Sequence, residues 1–485
     1  MSLVCASIVS AAPLVSTVAP VVSAQAAATD PGGEFHALTP TRILDTRPGK
    51  QINDVAPLGA KKLVSSPRTD RSGEFDFSPL GKAGVPADVN DVLAIVANVT
   101  VTEPNGAGWA AVYPSGFEFG GANGTETLSS LINFRAGEDV PNMAIVGVGA
   151  DGNITLNAAS ATGSSYHVII DILGFISTSQ YDTGGARLEV IAPARVFDTR
   201  RFGGTIGPRQ NRNLVITGVD TIPDLKTKAV LTDVVPNRTT VTAVMVNLTL
   251  VNSSTSNTFV TAAPDPVSLD PRVRRPSSSN VGAGATKATM TVVPVNDDGS
   301  ISLYNNAGNL HLVVDVLGYF EERPTDATYP YRGRVVPLEA PFRAFDTRRP
   351  EFGDAQLQHG SQEEWSFDNF VKSVVLNPDL KDGNGKSLAR QGPAQQGLIG
   401  SLTAIDLQPL YASHAGSSRE SYLKLTPADA PVQQVSNVNF RLGATVPNMS
   451  LVKYGPSGAD PHVVKAYNNY GQIDYLLDVY AIVRA

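Results

Sequence analysis

Cysteine is nearly absent from the 485 residues, with Cys5 the only one. Once the N-terminal stretch that carries it is removed, disulfides, thiolate metal sites and cysteine nucleophiles are all excluded, and core burial alone must hold the fold. Charge is sparse as well, at 17% with a net charge of -7, so the basic surplus that displaces counterions from nucleic acid is missing. The one basic cluster, Arg272, Arg274 and Arg275, lies between Pro271 and Pro276 and reads as a solvated loop. Aromatic residues make up 7% and include only two tryptophans, Trp109 and Trp365, a thin supply of sugar-stacking platforms. The six histidines are scattered, and the sequence has no His-Glu-x-x-His, no phosphate loop and no nucleophile elbow with a partner histidine. The expectation is a chain that is not an enzyme and needs no cofactor or metal. Asp382-Gly-Asn384-Gly-Lys386 has the opening of a calcium loop without its later ligands and reads as a turn.

What is present begins at the N-terminus. From Leu3 to Val22 the residues are apolar or small, and Ala24-Gln25-Ala26 has the small-x-small form of a cleavage site. Residues 1–26 are therefore expected to be a signal peptide, although no Lys or Arg precedes the apolar run. Pro13 and Pro20 disfavour a spanning helix, and no later segment reaches the ~18 apolar residues of a membrane span. The expected location is extracellular or at the cell surface. Apolar residues at 42%, with 43 Gly, 34 Pro and many Val and Thr, describe short strands joined by tight turns.

The sequence repeats itself three times. Pro40-Thr-Arg42-Ile-Leu-Asp45-Thr-Arg47 returns as Pro193-Ala-Arg195-Val-Phe-Asp198-Thr-Arg200 and Pro341-Phe-Arg343-Ala-Phe-Asp346-Thr-Arg348. Later landmarks keep the same order: a strand with Asn98 or Asn247, matched in the third copy by a segment with Asp406; then Asn133-Phe134, Asn280-Val281 and Asn439-Phe440; then Met143, Met290 and Met449. Each copy closes on an apolar run holding one aspartate, Asp171, Asp315 or Asp478. Boundaries follow at 27–178, 188–323 and 329–485, with polar linkers over 179–187 and 324–334. Period-2 alternation and turns such as Asp151-Gly152 and Asp298-Gly299 predict strands, and the closing run predicts a central strand covered on both faces. The expected fold is all-β, three tandem β-sandwiches of Greek-key or jelly-roll type, each folding independently. A third copy with an insertion over 382–400 is the divergent one.

The octet resembles the opening motif of a repeat domain of secreted actinobacterial proteins, which continues through an Asn-Val-Thr strand to a closing Asp-Val-x-Gly-aromatic strand. That resemblance implies an exported accessory or surface role and supplies no catalytic residues. In an extended strand Arg42 and Leu44 share one face and Ile43 and Asp45 the other. The octet is expected to be structural, with Asp45-Thr46 in an Asx turn and an octet arginine paired to the buried closing aspartate. The same holds for Arg195, Asp198 and Arg200, and for Arg343, Asp346 and Arg348. His167 and His311 read as strand-end residues, with Asp474 in their place in the third copy. The functional expectation is a non-catalytic structural or adhesive cell-surface protein, whose partner is a cell-envelope polymer, a surface protein or another copy of itself. A carbohydrate-binding module array is the alternative, to be judged by the exposure of Trp109, Tyr113 and Tyr304.

Overall fold

The computed structural model describes residues 32–47, 63–64, 74–117, 129–160, 164–178, 180–181, 184–225, 228–270, 275–323, 329–350, 355–367, 395–409, 420–430 and 435–485. The signal peptide and its cleavage site, Arg272, Arg274 and the 382–386 turn lie outside them.

The molecule is all-β, and its described residues form six antiparallel sheets. The first copy contains β1 (Phe35–Asp45), β2 (Leu63–Val64), β3 (Glu74–Phe77), β4 (Val92–Thr102), β5 (Gly108–Pro114), β6 (Ile132–Phe134), β7 (Val140–Gly147), β8 (Ile154–Ser160) and β9 (Ser165–Ser177). The second contains β10 (Arg187–Asp198), β11 (Gln210–Val215), β12 (Val241–Asn252), β13 (Thr258–Ala263), β14 (Ser279–Val281), β15 (Thr286–Pro294), β16 (Ser300–Asn305) and β17 (Leu310–Glu321). The third contains β18 (Val335–Asp346), β19 (Gln362–Ser366), β20 (Gln395–Gln408), β21 (Glu420–Pro427), β22 (Val438–Arg441), β23 (Thr445–Lys453), β24 (Gly455–Ser457), β25 (Asp460–Asn468) and β26 (Gln472–Arg484).

Strand order is the same in every copy. One sheet runs β1-β9-β4-β7 and the other β3-β8-β5-β6; copy two gives β10-β17-β12-β15 and β11-β16-β13-β14, and copy three β18-β26-β20-β23 and β19-β25-β21-β22. Two four-stranded sheets interleaved in this way are the double Greek key of a jelly roll. Within a copy the two sheets share a core. In the second, Val244, Val246 and Leu248 of β12 pack with Val260 of β13 and with Ile301 and Leu303 of β16.

The other face of each inner sheet is equally apolar, and it does not meet water. Val96, Met143 and Ile145 of the first copy join Met245, Met290 and Val292 of the second and Ile399, Met449 and Leu451 of the third in one continuous cluster. The three inner sheets therefore surround a pseudo-threefold axis, and the six sheets form a closed ring rather than three separate sandwiches in a row. This is why the closing strands β9, β17 and β26 are apolar at almost every position: one face looks into the jelly roll and the other into the shared centre. Burying a methionine of this centre is worth about 1.5–3 kcal/mol. A separated copy would expose this face to water, which weighs against the expectation that each copy folds alone.

A bulge sets the inner face. In the pairing of β4 with β9, Val96 faces Gly174 and Ala97 faces Ile172, so Leu173 is the extra residue. Leu317 and Tyr480 occupy the same place between β12 and β17 and between β20 and β26. All three belong to the shared centre, as expected of a bulge that re-aims a side chain. The neighbouring Gly174 has no room for a Cβ, which would strike the Phe35 ring and the His36 carbonyl.

The described C-terminal ends of the supposed linkers join the ring. At one pole Gly33 and Val335 exchange two backbone bonds of 2.9 and 3.0 Å, Phe35 and Ala186 exchange two of 2.8 Å, and Leu188 donates to the carbonyl of Gly333 at 2.8 Å. Each copy is thereby clasped to both others. The third copy also differs from its expected alignment. Register places Ser401, not Asp406, opposite Asp478, where Asn98 and Asn247 oppose Asp171 and Asp315. Residues 395–400, expected within an insertion, open the inner strand β20.

Candidate functional site at the pseudo-threefold axis

The octets do the same mechanical task three times. Arg42 grips Asp171 with two bonds, Nε to Oδ1 at 2.8 Å and Nη2 to Oδ2 at 3.2 Å. Arg195 holds Asp315 at 2.8 and 3.1 Å, and Arg343 holds Asp478 at 2.7 and 3.1 Å. These forks fasten the first strand of each copy to its last. Arg42 also reaches Asp45 at 3.3 Å, which strict alternation forbids. A bulge at Ile43 explains it: Arg42 pairs with Asp171 and Leu44 with Ile170, so Arg42 and Asp45 arrive on one face. The expected separation of Arg42 from Asp45 is corrected by that bulge, which recurs between Arg195 and Phe197 and between Arg343 and Phe345.

Asp45 next receives the Arg47 amide at 3.1 Å and its guanidinium at 2.9 and 2.7 Å, an Asx turn closed by a fork. Asp198 with Arg200 and Asp346 with Arg348 repeat it. Burial pushes the Asp45, Asp198 and Asp346 carboxyls up, but the bonds and charges of their arginines outweigh it and hold all three below the usual range. The octet threonine completes the strand end. Thr46 Oγ1 accepts the Val168 amide at 2.9 Å and shares a hydrogen bond of 3.1 Å with His167 Nδ1. His311 serves Thr199 in the same way, and Asp474 accepts from Thr347. The octet charges are thus engaged inside their own copies.

The opposite pole from the linker clasps holds a different kind of site. The loops before β7, β15 and β23 converge on the axis and enclose a funnel of about 1100 Å³. Equivalent residues face it from all three copies: Asn133, Asn280 and Asn439 lie on its wall, beside Phe134, Val281 and Phe440. The seams between copies reach its lip. Arg135 donates to the Gly443 carbonyl of copy three at 2.9 Å, and Arg441 donates to the Gly284 carbonyl of copy two at 2.8 Å. Deeper, Asn142 accepts the Met449 amide and Asn448 accepts the Met290 amide, both at 3.1 Å.

The third seam, from copy two to copy one, lacks both devices. Gly282 stands where Arg135 and Arg441 stand, and Thr289 where Asn142 and Asn448 stand. In their place the wall carries a charge cluster. Lys287 occupies the position held by Val140 and Val446, and Glu138 and Asp139 of copy one act on it across the seam. Desolvation outweighs their attraction and pushes the Lys287 ammonium down to about 8. Asp139 accepts from Thr102 Oγ1 at 2.7 Å and from the Glu103 amide at 3.0 Å.

Sequence reading pointed to the octets and took the Asn133, Asn280 and Asn439 segments as repeat landmarks only, so it missed the funnel they line. The usable signal was the opposite of repetition: Lys287 against two valines, and Gly282 against two arginines, within otherwise aligned copies. Trp109 is half-buried, and Tyr113 and Tyr304 are 3% and 1% exposed, so neither tyrosine ring forms a surface platform. Among the described residues no group of three or more His, Cys, Asp or Glu is arranged to hold a metal, and no helix is long and apolar enough to cross a membrane.

No known protein family matches the sequence, and no curated protein matches it either. Among solved structures, the fold is similar to a chain of Sulfolobus turreted icosahedral virus, at 10% identity over 92% of this chain and 91% of that one, with a TM-score of 0.16. A chain from an archaeal virus described for its triple jelly-roll fold and turret assembly matches at 9% identity over 93% and 90%, with a TM-score of 0.16. The CBM22-1-CBM22-2 tandem domain of Paenibacillus barcinonensis Xyn10C matches at 11% over 47% and 79%, with a TM-score of 0.14. Scores of this size carry no argument about function.

Proposed function

We propose that this chain is an exported, non-catalytic structural or adhesive protein of the cell surface, belonging with the secreted actinobacterial repeat domains that its octets resemble. The observation that carries the reading is the fate of the repeated charges. All three copies spend the same arginines and aspartates on fastening their own strands, and all three inner faces on building one centre. A motif kept in triplicate for internal fastening supports a scaffold, whereas an enzyme would keep one set of groups free to meet a substrate. The cell-envelope partner is a polymer or a surface protein. The alternative of three equal carbohydrate-binding modules is less well supported, because Tyr113 and Tyr304 are packed inside.

Two measurements test the proposal. N-terminal sequencing of protein recovered outside the producing cell should return Ala27 as the first residue; protein found only in the cytosol with Met1 intact sinks the export argument. The purified full chain should be retained by cell-envelope fractions and should turn over no polysaccharide or peptide in them. Release of fragments from those fractions would replace the scaffold reading with an enzymatic one.

A further inference from the structure

The funnel wall holds a charged group that the protein itself leaves unserved. The Lys287 ammonium stands in its wall with no hydrogen-bond or ion-pair partner among the described residues. A half-buried ammonium, partly stripped of water, is costly unless an anion meets it. Arg135 and Arg441 add positive charge at the lip, each with part of its guanidinium committed to a neighbouring carbonyl. Glu138 and Asp139 lie at the same seam and Glu420 beside Arg441.

A bare anion suits this wall poorly, since carboxylates stand next to the cations. A ligand that brings a carboxylate to Lys287 and hydroxyl donors to Glu138 suits it well, and the volume is that of a site for more than a single small ion. We propose that the axial funnel is the binding site for one acidic saccharide chain, bearing uronate-type carboxylates, per molecule. This deepens the surface-adhesion reading and rests on it, naming the envelope polymer by its chemistry. It also explains the asymmetry of the ring: the seam that lost its arginine and asparagine is the one that gained the lysine.

The site predicts a stoichiometry that separates it from an array. Titration calorimetry of the full chain with tetragalacturonate should give one site per chain, with cellotetraose and inorganic sulfate giving no comparable binding. Lys287→Gln should weaken tetragalacturonate at least tenfold while the melting temperature stays equal or rises, because the substitution removes a desolvated charge. Three sites per chain, equal binding of the neutral sugar or of sulfate, an undiminished affinity in the variant, or no binding of tetragalacturonate would each overturn the assignment. Retention on envelope fractions that survives Lys287→Gln would leave the adhesive role standing and place it elsewhere on the molecule.

Discussion

The seam between copies three and one and the seam between copies two and three are built alike, and the seam between copies one and two is not. The first two have an arginine reaching a glycine carbonyl and an asparagine capping a methionine amide. The last has Gly282 and Thr289 at those places. It keeps the polar-end clasp of Phe35 with Ala186, an ion pair of Arg187 with Glu34 at 3.0 Å, and the bond from Asn98 to the Ser277 carbonyl. Chain continuity alone does not account for the loss, since copies two and three are joined by an equally short segment and retain both devices. The lesson concerns what a single chain permits. In a homotrimer every seam must carry the same residues, so no seam can be given up. In a fused ring one seam can surrender its fastening to another use while the other two keep the ring shut.

The largest expected effect comes from a residue that serves both a copy and a seam. Asp478 takes the Arg343 fork and also a bond of 2.7 Å from Ser129 of copy one. Asp478→Ala strips the half-buried Arg343 of its two-bond fork, leaving it Asp346 alone, and should cost about 3–5 kcal/mol. Calorimetry should show the whole protein melting earlier in one transition; a separate early transition for copy three alone would contradict the shared centre. Next in size are the caps. Asn142→Ala and Asn448→Ala each strand a buried amide, at a cost of about 1–3 kcal/mol by denaturant titration. Thr289→Ala at the relaxed seam removes only the bond to Ser279 Oγ and should cost less than either; equal losses would erase the distinction between seams.

Acid acts on all copies alike. The octet carboxyls Asp45, Asp198 and Asp346 have folded values depressed below 3.8, so the stability they add is present above that value and lost as pH falls through it toward the folded value. Stability measured between pH 5 and 2 should decline, and Asp198→Asn should flatten part of that decline; an unchanged slope would mean that Asp198 is not held low. The smallest effect is a gain. A Cβ at Gly282 would meet only Asn257 Oδ1, at an ordinary contact distance of 3.9 Å, so Gly282→Arg can supply the missing lip contact, and because that contact is exposed it should add no more than about 1 kcal/mol. A large gain would show that the seam was weaker than its remaining bonds suggest.

Much of the fold could be read from the sequence because repetition multiplied weak signals. The three octets, the closing aspartates and the both-faces-apolar closing strands were all visible, and the Arg42–Asp171 pairing follows from the cost of an unpaired buried carboxylate. The bulges at Ile43 and Leu173 were not visible, because an added residue leaves composition unchanged and alters only which face each later side chain takes. The ring itself escaped because a face buried against another copy has the same apolar pattern as one buried against its own second sheet. Met143, Met290 and Met449 look like ordinary core residues until their partners are known. Ser401 was missed for a simpler reason: with serine in place of asparagine, register and not identity marks the position.

The pole where Gly33, Val335 and Arg334 meet carries the opening of β1 and, through the bond from the Arg484 amide to the Arg334 carbonyl, the end of β26 as well. The funnel lies at the far ends of the inner strands, where Val101 pairs with Val140 and Asp45 with Ile169. Seven residues of β4, from Ala94 beside Ile176 to Val101, separate the two ends, about 23 Å. The particle therefore has a heel and a mouth. A tether joined to either end of the described chain would pull at the heel, and the mouth would point away from whatever holds it.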